Sequence, residues 1–498
     1  MFATICLRPS GVDTWTAHAN DGAMNITPDS TPSSRRDFIK ATGVVVGASA
    51  LSGVVLPHVH AAGSDQISVA LVGCGGRGGG AAGNAMSQSG PPKLVAMADV
   101  FQHRLDSAYN ALKGKFKDQV DVPDNRKFIG FDAYKGAIDS LKKGDVAIFT
   151  TPLAFRWVHF KYAIEKGINV FMEKPVTSDG PTSRRMLELN KLAKEKNLKV
   201  SVGLMSRHKK CLQQLHQRIH QDKEIGDVMF MRGYRMQGLL GSAFSEKYPG
   251  KDNSLPGKPS ELMWQISRFH SFIWASGGGY SDFNIHQIDH LCWMKSPPGQ
   301  FLWPVKAQGV GGRTYRTSPD GKPYVDQNFD SYSVEYTFED GAKLYMDGRC
   351  MLGAVPMYQS FVHGTKGMAI AAKSGDCNGP SSTFKGHVTS RDSLLWTSDA
   401  KMADDPYFNE WQVLTDAIRN DKPHNEVDRG VMGSLVTSLG RYAAHTAQEV
   451  TLDEMLNHEH EYAPGADKLT FDSPAPVQAD ANGFYPVPEP GRKTKREY

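Results

Sequence analysis

Asp282 and His286 stand four residues apart, a spacing that puts both on one face of a helix, one turn from each other. A histidine with a pKa near neutrality can take a proton from a substrate hydroxyl as hydride leaves the same carbon. The neighbouring carboxylate can orient the ring, stabilise its charged form or hold a second hydroxyl. The same face continues at Asp289 and His290. Upstream, Glu173-Lys174-Pro175 places a lysine at a strand end before a stiff proline. From there its cation can reach the reacting oxygen and stabilise alkoxide character. His286-Gln287-Ile288-Asp289-His290 also has the H-x-x-x-H spacing of zinc peptidases. Gln287 occupies the position where those enzymes need a glutamate base, so no metal is expected. The run His458-Glu459-His460-Glu461 reads as a solvated polar stretch. Four further residues are candidates for substrate contact: Arg207 and His208 after a strand over 199–204, and Trp264 and Arg268 before the Asp282 helix. An indole there would stack on the face of a ring-shaped substrate.

These groups need a scaffold, and the sequence supplies one. Residues 66–72 form a short apolar strand pattern that runs into Gly73-Cys74-Gly75-Gly76-Arg77-Gly78, a G-x-G-x-x-G. Such glycines let the backbone turn sharply and approach a pyrophosphate, which the following helix N-terminus stabilises. A second strand over 93–98 ends at Asp99, placed to accept hydrogen bonds from an adenosine ribose and to repel a 2′-phosphate. NAD is therefore expected over NADP. Helix patterns over 102–112 and 156–166 alternate with strands over 146–150 and 169–172, which implies parallel strands with crossover helices. Ligands in such sheets bind beyond the carboxyl ends of the strands, where Thr150-Thr151-Pro152 and Glu173-Lys174-Pro175 fall.

In this order the motifs resemble the Gfo/Idh/MocA family, that of glucose-fructose oxidoreductase and inositol dehydrogenase. The resemblance rests on the Gly73 loop with Asp99 and Arg104, Thr151-Pro152 followed by His159, and Glu173-Lys174-Pro175. It continues through Ile225-Gly226-Asp227, Gly277-Gly278-Gly279 with Asp282-x-x-x-His286, and Gly364-Thr365-Lys366-Gly367, covering roughly residues 66–450. Asn284 departs from the glycine the family often carries between the aspartate and the histidine. The resemblance implies an α/β Rossmann domain followed by an α+β domain with a large open, mostly antiparallel sheet, whose face often joins subunits into a homo-oligomer. It implies Lys174, Asp282 and His286 as the catalytic group, and Gly73, Gly75, Gly78, Asp99, Arg104, Thr151 and Glu173 as cofactor contacts. The implied activity is hydride transfer between nicotinamide and a sugar or cyclitol hydroxyl. An alternative is an NAD-dependent glycosidase or lyase that oxidises a sugar transiently with no net redox change. Alternation at Tyr332, Val334, Tyr336 and Phe338, then Asp340-Gly341 leading into Lys343–Met346, independently indicates a hairpin in the second domain.

The expected divisions are 1–61, 66–185 for the Rossmann domain, 186–450 for the substrate and oligomerisation domain, and 451–498 as an extension. Residues 238–260 read as a long loop, a lid over the cleft. Residues 410–418 and 433–444 read as helices, and the Pro-rich stretch 473–498 as an arm or mobile tail. Ser34-Arg35-Arg36-Asp37-Phe38-Ile39-Lys40 precedes a diluted apolar run over 41–56 and resembles a twin-arginine export signal, with Val59-His60-Ala61 as the cleavage site. Met24 is an alternative start. A periplasmic or otherwise exported protein, folded around its cofactor before crossing, is expected. The 57 basic and 53 acidic residues leave a net charge of +4 with no basic block, so nucleic acid is not an expected partner. No apolar run reaches the length of a membrane span, so no stable membrane insertion is expected. The six cysteines show no pairing or metal-ligand spacing.

Overall fold

The computed structural model describes residues 66–249, 260–399 and 404–498. The expected export signal lies outside the described residues. The first strand, β1 (Ser68–Val72), is buried from Val69 onward, as an apolar strand covered on both faces must be. It pairs in parallel with β2 (Lys93–Asp99) on one side and β4 (Val146–Phe149) on the other. With β3 (Lys127–Ile129), β5 (Asn169–Met172) and β6 (Val200–Val202), these strands form a parallel sheet of order β3-β2-β1-β4-β5-β6. Strand order reverses between β1 and β4, and that reversal opens a crevice at the carboxyl ends. Gly73, Asp99, Thr150 and Glu173 sit at or just beyond four of those ends. The sixth strand lies past residue 185, so the first sheet extends beyond the boundary expected from the motifs. The strand itself was expected over 199–204; it is the boundary at 185 that fell one helix too early.

The second sheet is mixed and open. It comprises β7 (Val228–Gln237), β8 (Lys306–Gly312), β9 (Ser331–Thr337), β10 (Lys343–Cys350), β11 (Met357–Gly364), β12 (Gly367–Ala372), β13 (Ser382–Lys385), β14 (Leu394–Thr397) and β15 (Val450–Thr451). Its order is β14-β13-β12-β11-β7-β10-β9-β8-β15, and every pairing is antiparallel except β7 with β10. The β9–β10 hairpin pairs Thr337 with Lys343, as the alternation indicated. Tyr332, Val334 and Tyr336 point inward to pack with Leu344, Met346 and Val362 against Ile288, Leu291 and Leu439. The last three belong to two helices, Gly278–Lys295 and Val427–Thr446, that cover the inner face. The first of these carries Asp282 and His286, so the sheet is the bed on which their helix lies.

Of the arm or mobile tail expected of residues 473–498, the mobile tail does not hold. Ala475, Val477 and Tyr485 join the core beside Trp264 and Phe272, and Glu497 is fully buried against Arg441 and His445. The segment has neither strand nor α-helix, and its apolar residues therefore follow no period that sequence could reveal. The five described cysteines are free; Cys74, Cys211, Cys292 and Cys377 are buried and Cys350 is half-buried. Among the described residues, no helix is long and apolar enough to cross a membrane.

Candidate active site

Gly73 adopts φ +97°, a left-handed conformation that favours glycine, and a Cβ there would lie 2.7 Å from the Thr151 nitrogen. A Cβ on Gly78 would lie 2.0 Å from the Gly73 carbonyl oxygen. These two glycines close the turn against its own backbone. At Gly75 a Cβ would meet no protein atom within 4 Å, so the bare backbone faces open space there. That cleft is lined by the turn together with Asp99, Arg104, Tyr134, Thr151 and Phe155. Asp99 accepts one N–H per oxygen, from Cys74 at 2.6 Å and Phe101 at 2.9 Å, which leaves lone pairs on both oxygens. Burial raises its pKa, partly offset by those N–H groups and by Arg104. The Arg104 guanidinium lies over the Phe101 ring, 4.6 Å from its centroid. An open glycine, a helix N-terminus and a carboxylate with acceptor capacity in one cleft suit a dinucleotide.

A second cavity, of about 420 Å³, shares Gly76, Arg77, Thr150, Thr151 and Pro152 with the first. Lys174, Asp282 and His286 all line it. Lys174 comes from the segment after β5 and the other two from the Gly278–Lys295 helix. The Lys174 ammonium donates to the Asp282 carbonyl oxygen at 2.7 Å and lies 3.5 Å from the Asp282 carboxylate. Burial would raise the Asp282 carboxyl, but Lys174, His270 and Arg235 together hold it well below the usual carboxylate range. Asp282 therefore stays ionised. Burial brings His286 down to about 4, so its ring is neutral at pH 7, and its Nδ1 is buried without a hydrogen-bond partner.

One expectation needs correction here. Asp282 does not orient His286, although one helix presents both. Its carboxylate pairs with Lys174 and with His270, whose Nε2 lies 3.4 Å away. His270 Nδ1 accepts the Ser242 N–H at 3.2 Å, which leaves Nε2 as the N–H that faces Asp282. The described part of the 238–260 loop thus braces His270 from behind. His270 was not singled out because it belongs to a three-residue turn, Phe269–Ser271, with no motif spacing to Asp282. Arg235 and Arg156, which also line the cavity, were missed for similar reasons. Arg156 is almost wholly buried and donates to the carbonyl oxygens of Phe149 and Thr151; burial lowers its pKa to about 10. Glu173 accepts from Arg77 Nε at 2.5 Å, so it reaches the cofactor cleft through a residue of the glycine turn.

None of the four substrate candidates lines this cavity. Arg207 forks onto Asp289, with Nη2 to Oδ1 at 2.7 Å, and His208 lies 3.3 Å from Glu426. Arg207 thus meets the helix at Asp289, three residues beyond His286, and not at the cavity. Trp264 is buried in the core, stacked with Tyr485, and Arg268 is exposed. Trp264 lies within the helix Glu261–Ser267, whose inward face is taken by core packing, and Arg268 caps the end of that helix. His290 donates or accepts at Ser360 Oγ, 2.8 Å away, and is part of the helix–sheet contact.

A dinucleotide cleft that opens into a cavity holding a lysine, an ionised aspartate and a neutral histidine defines the class of NAD-dependent oxidoreductases acting on CH–OH groups. Residues 67–204 match the family model of the Gfo/Idh/MocA oxidoreductases, described as an oxidoreductase family with an NAD-binding Rossmann fold. Solved structures share the fold over most of the chain. Scyllo-inositol dehydrogenase from Lactobacillus casei, with bound NAD(H) and scyllo-inositol, is 19% identical with a TM-score of 0.54, covering 78% of this chain and 99% of that one. Levoglucosan dehydrogenase in complex with NADH and levoglucosan is 16% identical with a TM-score of 0.56 and the same coverage, 78% and 99%. Aldose-aldose oxidoreductase from Caulobacter crescentus is 14% identical with a TM-score of 0.55, again covering 78% and 99%. No curated protein matches the sequence.

Proposed function

We propose that the protein transfers a hydride between NAD and a ring hydroxyl of a sugar or cyclitol. The observation that carries this reading is the continuity of the two cavities through Thr151, Pro152 and Arg77, with Lys174, Asp282 and His286 in the wall of the second. The glycine turn, Asp99, Arg104 and Thr151 would hold the dinucleotide, whose nicotinamide supplies a hydride acceptor or, when reduced, a donor. His286, neutral and with an unpaired ring nitrogen, takes the proton from the substrate hydroxyl during oxidation and returns it during reduction. The Lys174 ammonium stabilises the negative charge that develops on that oxygen. Asp282 keeps the lysine in place, and holds the His270 N–H at the cavity wall. Solved structures of similar fold carrying cyclitol and anhydrosugar ligands support the substrate class.

The twin-arginine pattern at Arg35-Arg36 supports export, and the open second sheet supports a homo-oligomer. Outside the cytoplasm the cofactor would be held tightly and recycled in place by a second substrate. The test is to purify the protein from the exported fraction, release any nucleotide, and screen sugars, cyclitols and glycosides for NADH absorbance and for bond cleavage. Oxidation of a hydroxyl is expected, with His286→Ala lowering turnover roughly 10²–10⁴-fold while NAD still binds. Near-wild-type turnover in that variant would overturn the assignment. Glycoside cleavage without net NADH would favour the transient-oxidation alternative.

A further inference from the structure

Arg441, on the Val427–Thr446 helix, is fully buried and lines neither cavity, yet its guanidinium meets both segments that carry the catalytic group. Nη1 donates to the Gly277 carbonyl oxygen at 2.6 Å and to Ser281 Oγ at 3.0 Å, at the start of the helix that bears Asp282 and His286. Nη2 donates to the Ser178 carbonyl oxygen at 3.0 Å, four residues after Lys174. The remaining face is taken by Glu497, with Nε to Oε1 at 2.9 Å and Nη2 to Oε2 at 3.1 Å. Glu497 in turn accepts from the Tyr462 hydroxyl and lies 3.0 Å from His445 Nδ1.

We infer that Arg441, clamped by Glu497, is a positioning residue that sets the placement of Lys174 against Asp282 and His286. Lysine and helix come from different sheets and approach each other only across the cavity, through the 2.7 Å bond from Lys174 to the Asp282 carbonyl. One planar, five-donor guanidinium spanning both backbones fixes their separation as no flexible ammonium can. Glu497 is needed because a buried guanidinium facing only neutral carbonyls would be an uncompensated charge. Displacing a catalytic group by about 1 Å can cost on the order of 10²-fold in rate. The residue therefore acts on turnover through geometry and leaves the dinucleotide cleft alone.

This inference rests on the proposed role of Lys174, and its test separates the two. The full-length protein and its Glu497→Ala, Arg441→Lys and Tyr462→Phe variants are compared in four measurements. These are Tm, NAD binding by fluorescence, kcat and KM on the substrate found above, and the acylation rate of Lys174 read by mass spectrometry. Glu497→Ala and Arg441→Lys should lower kcat roughly 10–100-fold with NAD affinity within about twofold of wild type, and should label Lys174 faster as its bond to Asp282 loosens. Tyr462→Phe, which removes a single hydroxyl from the cluster, keeps the ion pair and serves as the mild variant should the others fail to fold. It should shift kcat and labelling in the same direction by less. Folded variants with lower Tm but unchanged kcat and unchanged Lys174 labelling would show a purely structural ion pair and overturn the inference. If the wild type oxidises no sugar or cyclitol, the functional reading fails, while Lys174 labelling still decides whether Arg441 positions it.

Discussion

Asp99 has each carboxylate oxygen on a backbone N–H and each still able to accept a second hydrogen bond. That arrangement holds the side chain still while leaving acceptor capacity for ribose hydroxyls in the cleft. Asp99→Ser should weaken NAD binding by the worth of one or two charged hydrogen bonds, about 1.5–3 kcal/mol each at most, or tenfold and more in Kd. The preference over NADP should shrink at the same time, because the repelling charge is gone. Titration of both nucleotides against both proteins checks this, and a wild type that prefers NADP would refute it. Asp99 was legible because its distance from the glycine turn is set by one strand–helix–strand unit. Lys174, Asp282 and His286 were legible because each sits in a short contiguous motif. His270 and Arg235 were not, since only the folded chain brings a three-residue turn and the last residues of β7 to the same cavity.

At the scale of elements, the turn from β1 into the Gly76–Met86 helix makes opposite demands on its glycines. A methyl on Gly78 would strike the backbone of Gly73, which no rotamer change relieves, whereas a methyl on Gly75 would enter empty space. Gly78→Ala should therefore destabilise the fold by about 1–3 kcal/mol, as overpacking does, and lose NAD binding. Gly75→Ala should leave stability within about 0.5 kcal/mol, like other substitutions that meet no neighbour, yet still weaken NAD. Chemical denaturation alongside nucleotide titration separates the two effects. Equal NAD affinity in Gly75→Ala and wild type would mean that the dinucleotide does not approach there. The strand–helix alternation of the first sheet and the hairpin of the second were legible from period alone. The packing of residues 238–249 onto His270 was not, because that stretch has no period.

Across the whole molecule, several histidines are buried in neutral form. Burial brings His159 to about 3, and His286 and His290 to about 4. An unfolded chain takes up these protons near pH 6.5, so between pH 6.5 and 4 the unfolded state binds more protons than the native one. Stability must then fall as pH falls through that window, by up to about 1.4 kcal/mol per pH unit for each such group. Asp282 and Glu497, whose carboxyls are held low against the pull of burial by Lys174 and Arg441 respectively, act in the same direction below about pH 4. Urea midpoints at pH 7 and pH 4.5 measure the effect, and equal midpoints would contradict it. Arg441 and Glu497 also show where sequence reading ran out. Nothing local joins residue 441 to residue 497, and a proline-rich stretch without period reads as a tail until its side chains are seen in the core.

The free cysteines carry a consequence for the protein's lifetime. Four of the five described thiols are shut inside the fold, and burial raises the pKa of each of those four. In the native state they are poor nucleophiles with no access to an oxidant. An opened chain would present all of them at once to thiol–disulfide exchange, with no native pairing to guide the outcome. In an oxidising compartment each opening would thus risk a covalent dead end. The half-life of such a protein is set by how rarely it opens, so its durability is a matter of unfolding rate more than of equilibrium stability.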